Sequence, residues 1–187
     1  MRAFIAIKLP LDIENTLAKI QDKLKLTLPK ISWVKPINLH LSLKFLGEIS
    51  ISQADQIQQT ISEIIRSISK FQIKLTTLGI FPDSRAARII WIGTNQPPAQ
   101  LIQFVEQLEK NLLKSGIPNA QCAFQAHITL GRIKHPLNHL DLEKTLNKFH
   151  DEINDMNLKL NVRGITLFQS VLGPGGPTYT ILKETTF

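Results

Sequence analysis

The sequence is nearly free of cysteine: Cys122 is the only one among 187 residues. A single cysteine excludes an internal disulfide and the paired thiolates of a zinc or iron–sulfur site, and we expect Cys122 to be a small buried residue. No apolar run approaches the roughly eighteen residues that a spanning helix needs, so we expect no membrane insertion. The apolar stretch before Pro10 is too short for a secretory core, and the sequence therefore predicts a cytoplasmic protein.

The sequence also lacks a proline-rich, serine-rich or charged linker. Hydrophobic residues make up 43% of the chain and charged residues 20%, which is ordinary for a globular protein. These values exclude a disordered or collagen-like chain. We expect one domain over residues 1–187, large enough to bury a core that holds an organised site.

The charge balance is basic, because 22 lysine and arginine residues stand against 15 aspartate and glutamate residues, for a net charge of +7. A positive surface attracts anionic partners, and nucleic acid is the commonest of these. The cations are scattered along the chain and form no run. A merely solvated surface therefore explains the composition equally well.

Hydrophobic periodicity predicts strands and helices intermixed along the whole chain, which is typical of an α+β fold with antiparallel sheets. Ser52 is expected to cap the second helix, Gly47 to end the strand before it, and Pro82–Ser84 to turn a hairpin. The glycine and proline residues at 173–177 are expected to form a surface turn, with a substrate loop as the second interpretation. Helices are predicted at Asp12–Leu26, Ser52–Ser69, Pro98–Lys114 and Leu140–Phe149, and strands at Arg2–Leu9, from Trp33, and at Asn38–Leu46, Phe71–Phe81, Arg88–Ile92, Phe124–Leu130, Leu158–Phe168 and Tyr179–Lys183.

Two predicted strands share the pattern histidine, apolar residue, hydroxyl residue, apolar residue. It reads HLSL at His40–Leu43 and HITL at His127–Leu130. Alternation puts the histidine and the hydroxyl residue of each copy on the polar face of its strand. The repeat therefore predicts two similar lobes that present both histidines to a cleft between them.

Paired histidines with neighbouring hydroxyls suit the hydrolysis of a cyclic phosphodiester. The attacking water needs a base, and the leaving oxygen needs an acid on the far side of the phosphorus. Imidazole titrates near neutral pH and takes either part, while the hydroxyls of Ser42 and Thr129 can hydrogen-bond the phosphoryl oxygens. The residues alone leave open which of His40 and His127 is the acid.

Other interpretations of these residues are weaker. Two separated histidines do not supply the three or four ligands that zinc needs, and no Gly-x-Ser-x-Gly elbow surrounds Ser42. The remaining alternatives are a noncatalytic RNA-binding protein, and a structural protein in which Trp33 and Trp91 are core or interface residues. Three further histidines lie in polar, turn or helical surroundings and are expected to be solvated: His135, His139 and His150.

The sequence resembles the RNA 2′,3′-cyclic phosphodiesterases, also called 2′-5′ RNA ligases, of the two-histidine phosphoesterase superfamily. The resemblance implies a bilobal, pseudo-symmetric α+β fold with two antiparallel sheets facing a central cleft and helices on the outside. It spans nearly the whole chain and is carried by Arg2–Ile7, Trp33-Val34, His40–Glu48, Phe81-Pro82, Arg88, Trp91, His127–Arg132, Leu167–Ser170 and Tyr179.

The resemblance further implies that an RNA end carrying a 2′,3′-cyclic phosphate is hydrolysed to a 2′-phosphomonoester, without metal or cofactor, by a monomer that needs no protein partner. By position, His40 is the proton donor and His127 the proton acceptor. A relative acting on another phosphodiester, or one performing 2′-5′ ligation, is the alternative within enzymes.

Four further residues gain roles from the same resemblance. Ser42 and Thr129 bind the phosphate, Phe45 stacks on a base, and Arg132 holds the phosphate or shapes the cleft. Strict alternation would place Phe45 and Arg132 on the apolar side of their strands, so either each strand twists out at its end or these two residues have structural roles. The chain departs from the usual pattern at Ser42, where threonine is commoner, and at Gly131, where alanine is usual.

Overall fold

The computed structural model describes residues 1–187 and mixes four α-helices with ten strands, so the predicted α+β class is confirmed. A short 3₁₀ turn covers Pro36–Asn38. The strands are β1 (Arg2–Lys8), β2 (Ile31–Trp33), β3 (His40–Glu48), β4 (Phe71–Lys74), β5 (Thr77–Phe81), β6 (Ile89–Gly93), β7 (His127–Ile133), β8 (Lys159–Val162), β9 (Gly164–Gly173) and β10 (Gly176–Thr186). The helices are α1 (Leu11–Thr27), α2 (Ile51–Arg66), α3 (Ala99–Lys114) and α4 (His139–Asp155).

Eight strands form one antiparallel sheet. Seven of them follow each other in the order β10-β9-β1-β3-β7-β6-β5, and β2 pairs with the free part of the β7 edge. Between β3 and β7 only one residue pair is in register, Leu41 with Ile128. The sheet therefore consists of two four-stranded half-sheets joined at that pair. One contains β10, β9, β1 and β3, and the other contains β7, β6, β5 and β2. The histidine strands lie where the two lobes meet.

The core runs without a break beneath both half-sheets. A single cluster of 45 buried residues draws on β1, β3, β6 and β7 and on all four helices. The apolar face of α2 consists of isoleucines and is buried at Ile57, Ile61, Ile64 and Ile65. Because each helix packs an apolar face against the same core, both histidine strands rest on one rigid support. None of the helices is both long and apolar enough to cross a membrane.

Several predicted boundaries are wrong. The residue that caps α2 is Ser50 and not Ser52: its hydroxyl accepts the Gln53 N–H at 3.1 Å, and the Gln53 side chain accepts the Ser50 N–H at 2.9 Å. This reciprocal pair is a capping box, which the spacing Ser-x-x-Gln encodes. Gly47 does not end β3, which continues to Glu48, and Cys122 is exposed rather than buried.

Two predicted strands are each divided between two sheets. Phe71–Phe81 splits into β4 and β5, and Leu158–Phe168 splits into β8 and β9. Strands β4 and β8 pair with each other in a separate two-stranded sheet. The first division occurs where Leu75 N–H bonds to Leu158 O, and Thr76 N–H to Gly93 O. Such partners are distant in sequence, so periodicity cannot show the change of sheet.

Candidate active site

The two histidine strands have the same sequence of open and buried positions. In β3, His40 and Ser42 are half-buried and Phe45 is exposed, while the other residues up to Leu46 are buried. In β7, His127 and Thr129 are likewise half-buried and Arg132 is exposed, while the other residues are buried. Each strand thus offers a histidine, a hydroxyl and a long side chain to one face.

A β-bulge follows the hydroxyl residue in each strand. In β3, Ser42 pairs with Ala6 and Lys44 with Ile5, which leaves Leu43 as the extra residue. The bulge turns Leu43 and Lys44 into the interior in succession and shifts the phase of the strand. Phe45 therefore points to the cleft and is 71% exposed.

The bulge in β7 follows the same rule. Thr129 pairs with Trp91, and Gly131 pairs with Ile90, so that Leu130 is extra. Arg132 consequently lies on the cleft side. Strict alternation would have kept Phe45 and Arg132 on the apolar side, but a bulge interrupts the alternation in each strand. Of the two alternatives, a strand that turns the residue out and a purely structural role, the structure shows the first.

All six predicted site residues line one cavity of about 340 Å³: His40, Ser42, Phe45, His127, Thr129 and Arg132. The cavity lies at the junction of the two half-sheets, and each strand contributes three of the six. His135, His139 and His150 do not line it. No three His, Cys, Asp or Glu side chains anywhere in the chain come together in a way that could hold a metal ion.

Each cleft histidine is oriented by a main-chain carbonyl two residues earlier. His40 Nδ1 donates to Asn38 O at 2.7 Å, and His127 Nδ1 donates to Gln125 O at 2.8 Å. Because a carbonyl oxygen only accepts, the proton must be on Nδ1 in both rings. In the neutral ring the lone pair is then on Nε2, the nitrogen free to exchange protons with a ligand.

Aromatic side chains fix the plane of each imidazole. The ring centroid of His40 lies 4.8 Å from that of Phe4 and 5.2 Å from that of Tyr179, which meets it edge-on at 88°. The His127 centroid lies 5.0 Å from that of Phe81, at 87°. These contacts restrict rotation of both rings, as a preorganised site requires.

Burial lowers the pKa of both histidines. The pKa of His40 falls chiefly through desolvation, is raised in part by the hydrogen bond to Asn38, and falls further because His127 and Arg132 add positive charge nearby. Desolvation likewise lowers the pKa of His127, against the hydrogen bond to Gln125. The neutral form of both rings is therefore favoured.

Several cleft residues were missed by the sequence prediction. Tyr179 lines the cavity, and burial raises the pKa of its hydroxyl. The 173–177 segment, for which a surface turn was preferred over a substrate loop, reaches the cleft through Gly175–Pro177, and Asn38 Nδ2 donates to Pro177 O at 2.9 Å to hold it there. Trp33 also lines the cavity, whereas Trp91 is buried beside His127. Local patterns could not place Tyr179, because the β9–β10 hairpin that carries it reaches the cleft through the long-range pairing of β9 with β1.

Known proteins resemble this chain over its whole length. The RNA 2′,3′-cyclic phosphodiesterase of Methanocaldococcus jannaschii is 32% identical over 187 aligned residues, which cover 98% of this chain and 99% of that protein. A crystal structure from Thermus thermophilus matches with a TM-score of 0.80 at 25% identity, covering 100% and 97% of the two chains. The crystal structure of E. coli LigT complexed with 3′-AMP matches with a TM-score of 0.78 at 27% identity, covering 99% and 97%.

The LigT-like phosphoesterase family matches residues 7–91 and, separately, residues 92–179. Each match contains one histidine strand, in agreement with the predicted repeat. The bilobal fold and the assignment to a hydrolase, both predicted from the resemblance, are confirmed. The chain belongs to the LigT-like phosphoesterase family.

Proposed function

We propose that this phosphoesterase hydrolyses RNA ends that carry a 2′,3′-cyclic phosphate, leaving a 2′-phosphomonoester, and that His40 and His127 perform the proton transfers without a metal ion. The observation that carries the proposal is the matched pair of imidazoles in one cleft, each tied to a carbonyl through Nδ1. The substrate is inferred from the relatives named RNA 2′,3′-cyclic phosphodiesterase.

In the proposed reaction a water oxygen attacks the phosphorus while His127 Nε2 takes the water proton. The bond from phosphorus to O3′ breaks, and the proton on His40 Nε2 goes to O3′. His127 ends protonated and His40 neutral, and exchange with solvent restores both. Attack and departure occur on opposite sides of the phosphorus, which suits histidines contributed by opposite lobes.

The lowered pKa values fit these assignments once substrate is bound. A neutral His127 has the lone pair that a base needs at neutral pH. His40 must be protonated, and a bound phosphodiester anion supplies the negative charge that offsets its desolvation and the repulsion from Arg132. His40 is thus protonated only when the substrate, and with it the leaving group, is bound.

The other cleft residues complete the proposal. The hydroxyls of Ser42 and Thr129 donate to the phosphoryl oxygens as charge builds, and Arg132 contributes positive charge. Phe45, exposed at the rim, offers a face for the terminal base. That E. coli LigT has been crystallised with 3′-AMP supports a nucleotide-sized ligand here. All six side chains come from one chain, which supports a monomer without an obligatory partner.

The test is to incubate the purified protein, with a metal chelator, with a short RNA ending in 2′,3′-cyclic phosphate, and to compare the product with authentic 2′- and 3′-phosphate ends by mass and chromatography. We expect a 2′-phosphate end, and a loss of about 10²–10⁴-fold in kcat for both His40→Ala and His127→Ala. His150→Ala, outside the cleft, is the matched control and should remain active.

The possible results separate the alternatives. Turnover of small cyclic nucleotides without turnover of RNA would overturn the RNA assignment. Binding of RNA without turnover would favour a noncatalytic RNA-binding protein. Activity that requires added metal would overturn the proposed chemistry.

A further inference from the structure

A second, basic pocket lies beside the cleft, at the β5–β6 turn and the end of β7. It is lined by the cations Arg85, Arg88 and Lys134 and by His135, and its volume is about 250 Å³. All four side chains are exposed, and none belongs to any of the five ion pairs in the chain. We call these four residues the basic pocket.

No acidic side chain lines the basic pocket. The nearest in sequence, Asp83, is occupied within its own turn, where Oδ1 accepts the Arg85 N–H at 2.8 Å and the Ala86 N–H at 3.1 Å. The positive charge is therefore not neutralised within the protein. Unpaired exposed cations grouped in a concave site attract phosphate.

The basic pocket continues directly from the cleft. Ile89 of β6 pairs with Arg132 of β7, and both line the cleft. The next backbone contact along the same two strands, Ile133 N–H to Arg88 O at 2.8 Å, lies in the basic pocket. Since a strand advances about 3.3 Å per residue, a polyanion leaving Arg132 meets the next cations within a few ångströms.

The opposite side of the cleft has a different character. A groove of about 610 Å³ continues there from Ser42, Phe45 and His127. Its only cation is Lys44, which is buried and paired with Glu109. A phosphodiester backbone would find no free positive charge in that direction, so the two exits from the cleft are electrostatically unequal.

We propose that the basic pocket binds the phosphates of the nucleotides that precede the cyclic end, so that the RNA chain leaves the cleft over Arg132 toward Arg88, Lys134 and Arg85. This inference rests on the proposed function. It predicts a preference for an oligonucleotide over a cyclic mononucleotide, and a salt dependence that grows by about 0.7 in log–log slope for each phosphate held.

The test variant is Arg85→Gln/Arg88→Gln/Lys134→Gln, assayed on a tetranucleotide ending in 2′,3′-cyclic phosphate and on the 2′,3′-cyclic mononucleotide of the same base. We expect kcat/KM on the tetranucleotide to fall about tenfold with a shallower salt dependence, and kcat/KM on the mononucleotide to stay unchanged. The charge-matched control removes three exposed lysines, two in the two-stranded sheet and one directly before it: Lys74→Gln/Lys159→Gln/Lys70→Gln.

Unchanged kinetics of the triple variant on the tetranucleotide would overturn the inference, as would an equal loss on both substrates or an equal loss in the control. Wild-type inactivity on both substrates would instead overturn the proposed function. In that case the basic pocket is tested by binding, with the affinity of wild type and triple variant for the tetranucleotide measured against salt. Equal affinity and equal salt dependence of the wild type and the triple variant would then overturn the inference.

Discussion

Strands β3 and β7 present the same three kinds of side chain to the cleft, yet they are supported in different ways. Both bulges turn a residue inward at the fourth position after the histidine. In β3 that residue is Lys44, a long cation, and in β7 it is Gly131, which has no side chain. The reacting face is duplicated between the lobes, whereas the packing behind it is specific to each lobe.

Behind β3, the inward residue makes a polar connection. Lys44 Nζ donates to Glu109 Oε2 and to Pro118 O, both at 2.6 Å, and its side chain is 3% exposed. The same carboxylate oxygen accepts the Ala120 N–H at 3.3 Å. Strand β3 is thereby connected to α3 and to the segment that precedes His127.

Behind β7, neighbouring residues occupy the space instead. A Cβ added at Gly131 would lie 2.6 Å from Ile31 Cγ2 and 3.1 Å from Trp33 Cε3, because β2 packs directly there. The bulge carbonyl of Leu130 is satisfied by Gln21 Nε2, which is buried and donates to it at 2.8 Å. A glycine is required by this close approach, not by its backbone angles.

The largest effect should come from breaking the polar connection behind β3. Lys44→Met leaves Glu109 without its cation in a largely buried place, and we expect the free energy of unfolding to fall by about 3 kcal/mol in urea titration. The double variant Lys44→Met/Glu109→Leu should regain most of the lost free energy of unfolding. Lys23→Met, which breaks the surface pair with Glu152, should cost under about 1 kcal/mol. Equal losses of stability in Lys44→Met and Lys23→Met would contradict the contrast between the buried and the surface ion pair.

A smaller loss is expected behind β7. Gly131→Ala forces a methyl against the stiff side chain of Ile31, and overpacking of this kind costs about 1–3 kcal/mol. Gly175→Ala is the control, since an added Cβ there meets nothing within 4 Å, and it should change stability by less than about 0.5 kcal/mol. If Gly131→Ala is as stable as wild type in thermal unfolding, β2 must yield more readily than its packing indicates.

The two histidines should also differ in their electrostatics. Arg132 lowers the pKa of His40 but is not among the causes that lower the pKa of His127. Arg132→Gln should therefore raise the pKa of His40 and leave that of His127 in place, as followed by NMR titration of the imidazole carbons. A shift of equal size in both rings would show that the two sites titrate as one.

The same lowered pKa values predict a fall of stability in acid. Both imidazoles bind protons more readily in the unfolded chain. Their contribution to the free energy of unfolding is therefore fully present above the unfolded pKa of about 6.5, and it is lost as the pH falls from there toward the folded pKa values. His127→Ala should make this decline shallower in urea titrations at successive pH values. A decline that is unchanged in His127→Ala and in His40→Ala would assign it to other groups.

The smallest effect should come from making the two cleft faces more alike. Ser42→Thr adds a methyl opposite the small Ala6 and restrains the hydroxyl as in Thr129. We expect kcat/KM to change by less than about threefold, because the donor is kept. Ser42→Ala, which removes the donor, should cost about 10²-fold. Equal activity of the Thr and Ala variants would argue against a phosphate contact at this position.

Much of this site could be predicted from sequence because its main signal is local. The alternation around His40 and His127 indicated two strands with a polar face, and the repeat indicated two lobes. The orientations of Phe45 and Arg132 could not be predicted in this way, because a bulge depends on which residues of β1 and β6 lie opposite. Tyr179 was missed for a related reason, since its hairpin joins the cleft only through the pairing of β9 with the distant β1.

The one residue pair that joins the half-sheets also determines where the two imidazoles meet. His40 and His127 each directly precede a member of that pair, Leu41 and Ile128. The two rings therefore lie next to the single backbone contact between the lobes, above the core that both half-sheets share. A substitution elsewhere in one half-sheet can reach the spacing of the imidazoles only through that contact or through the shared core.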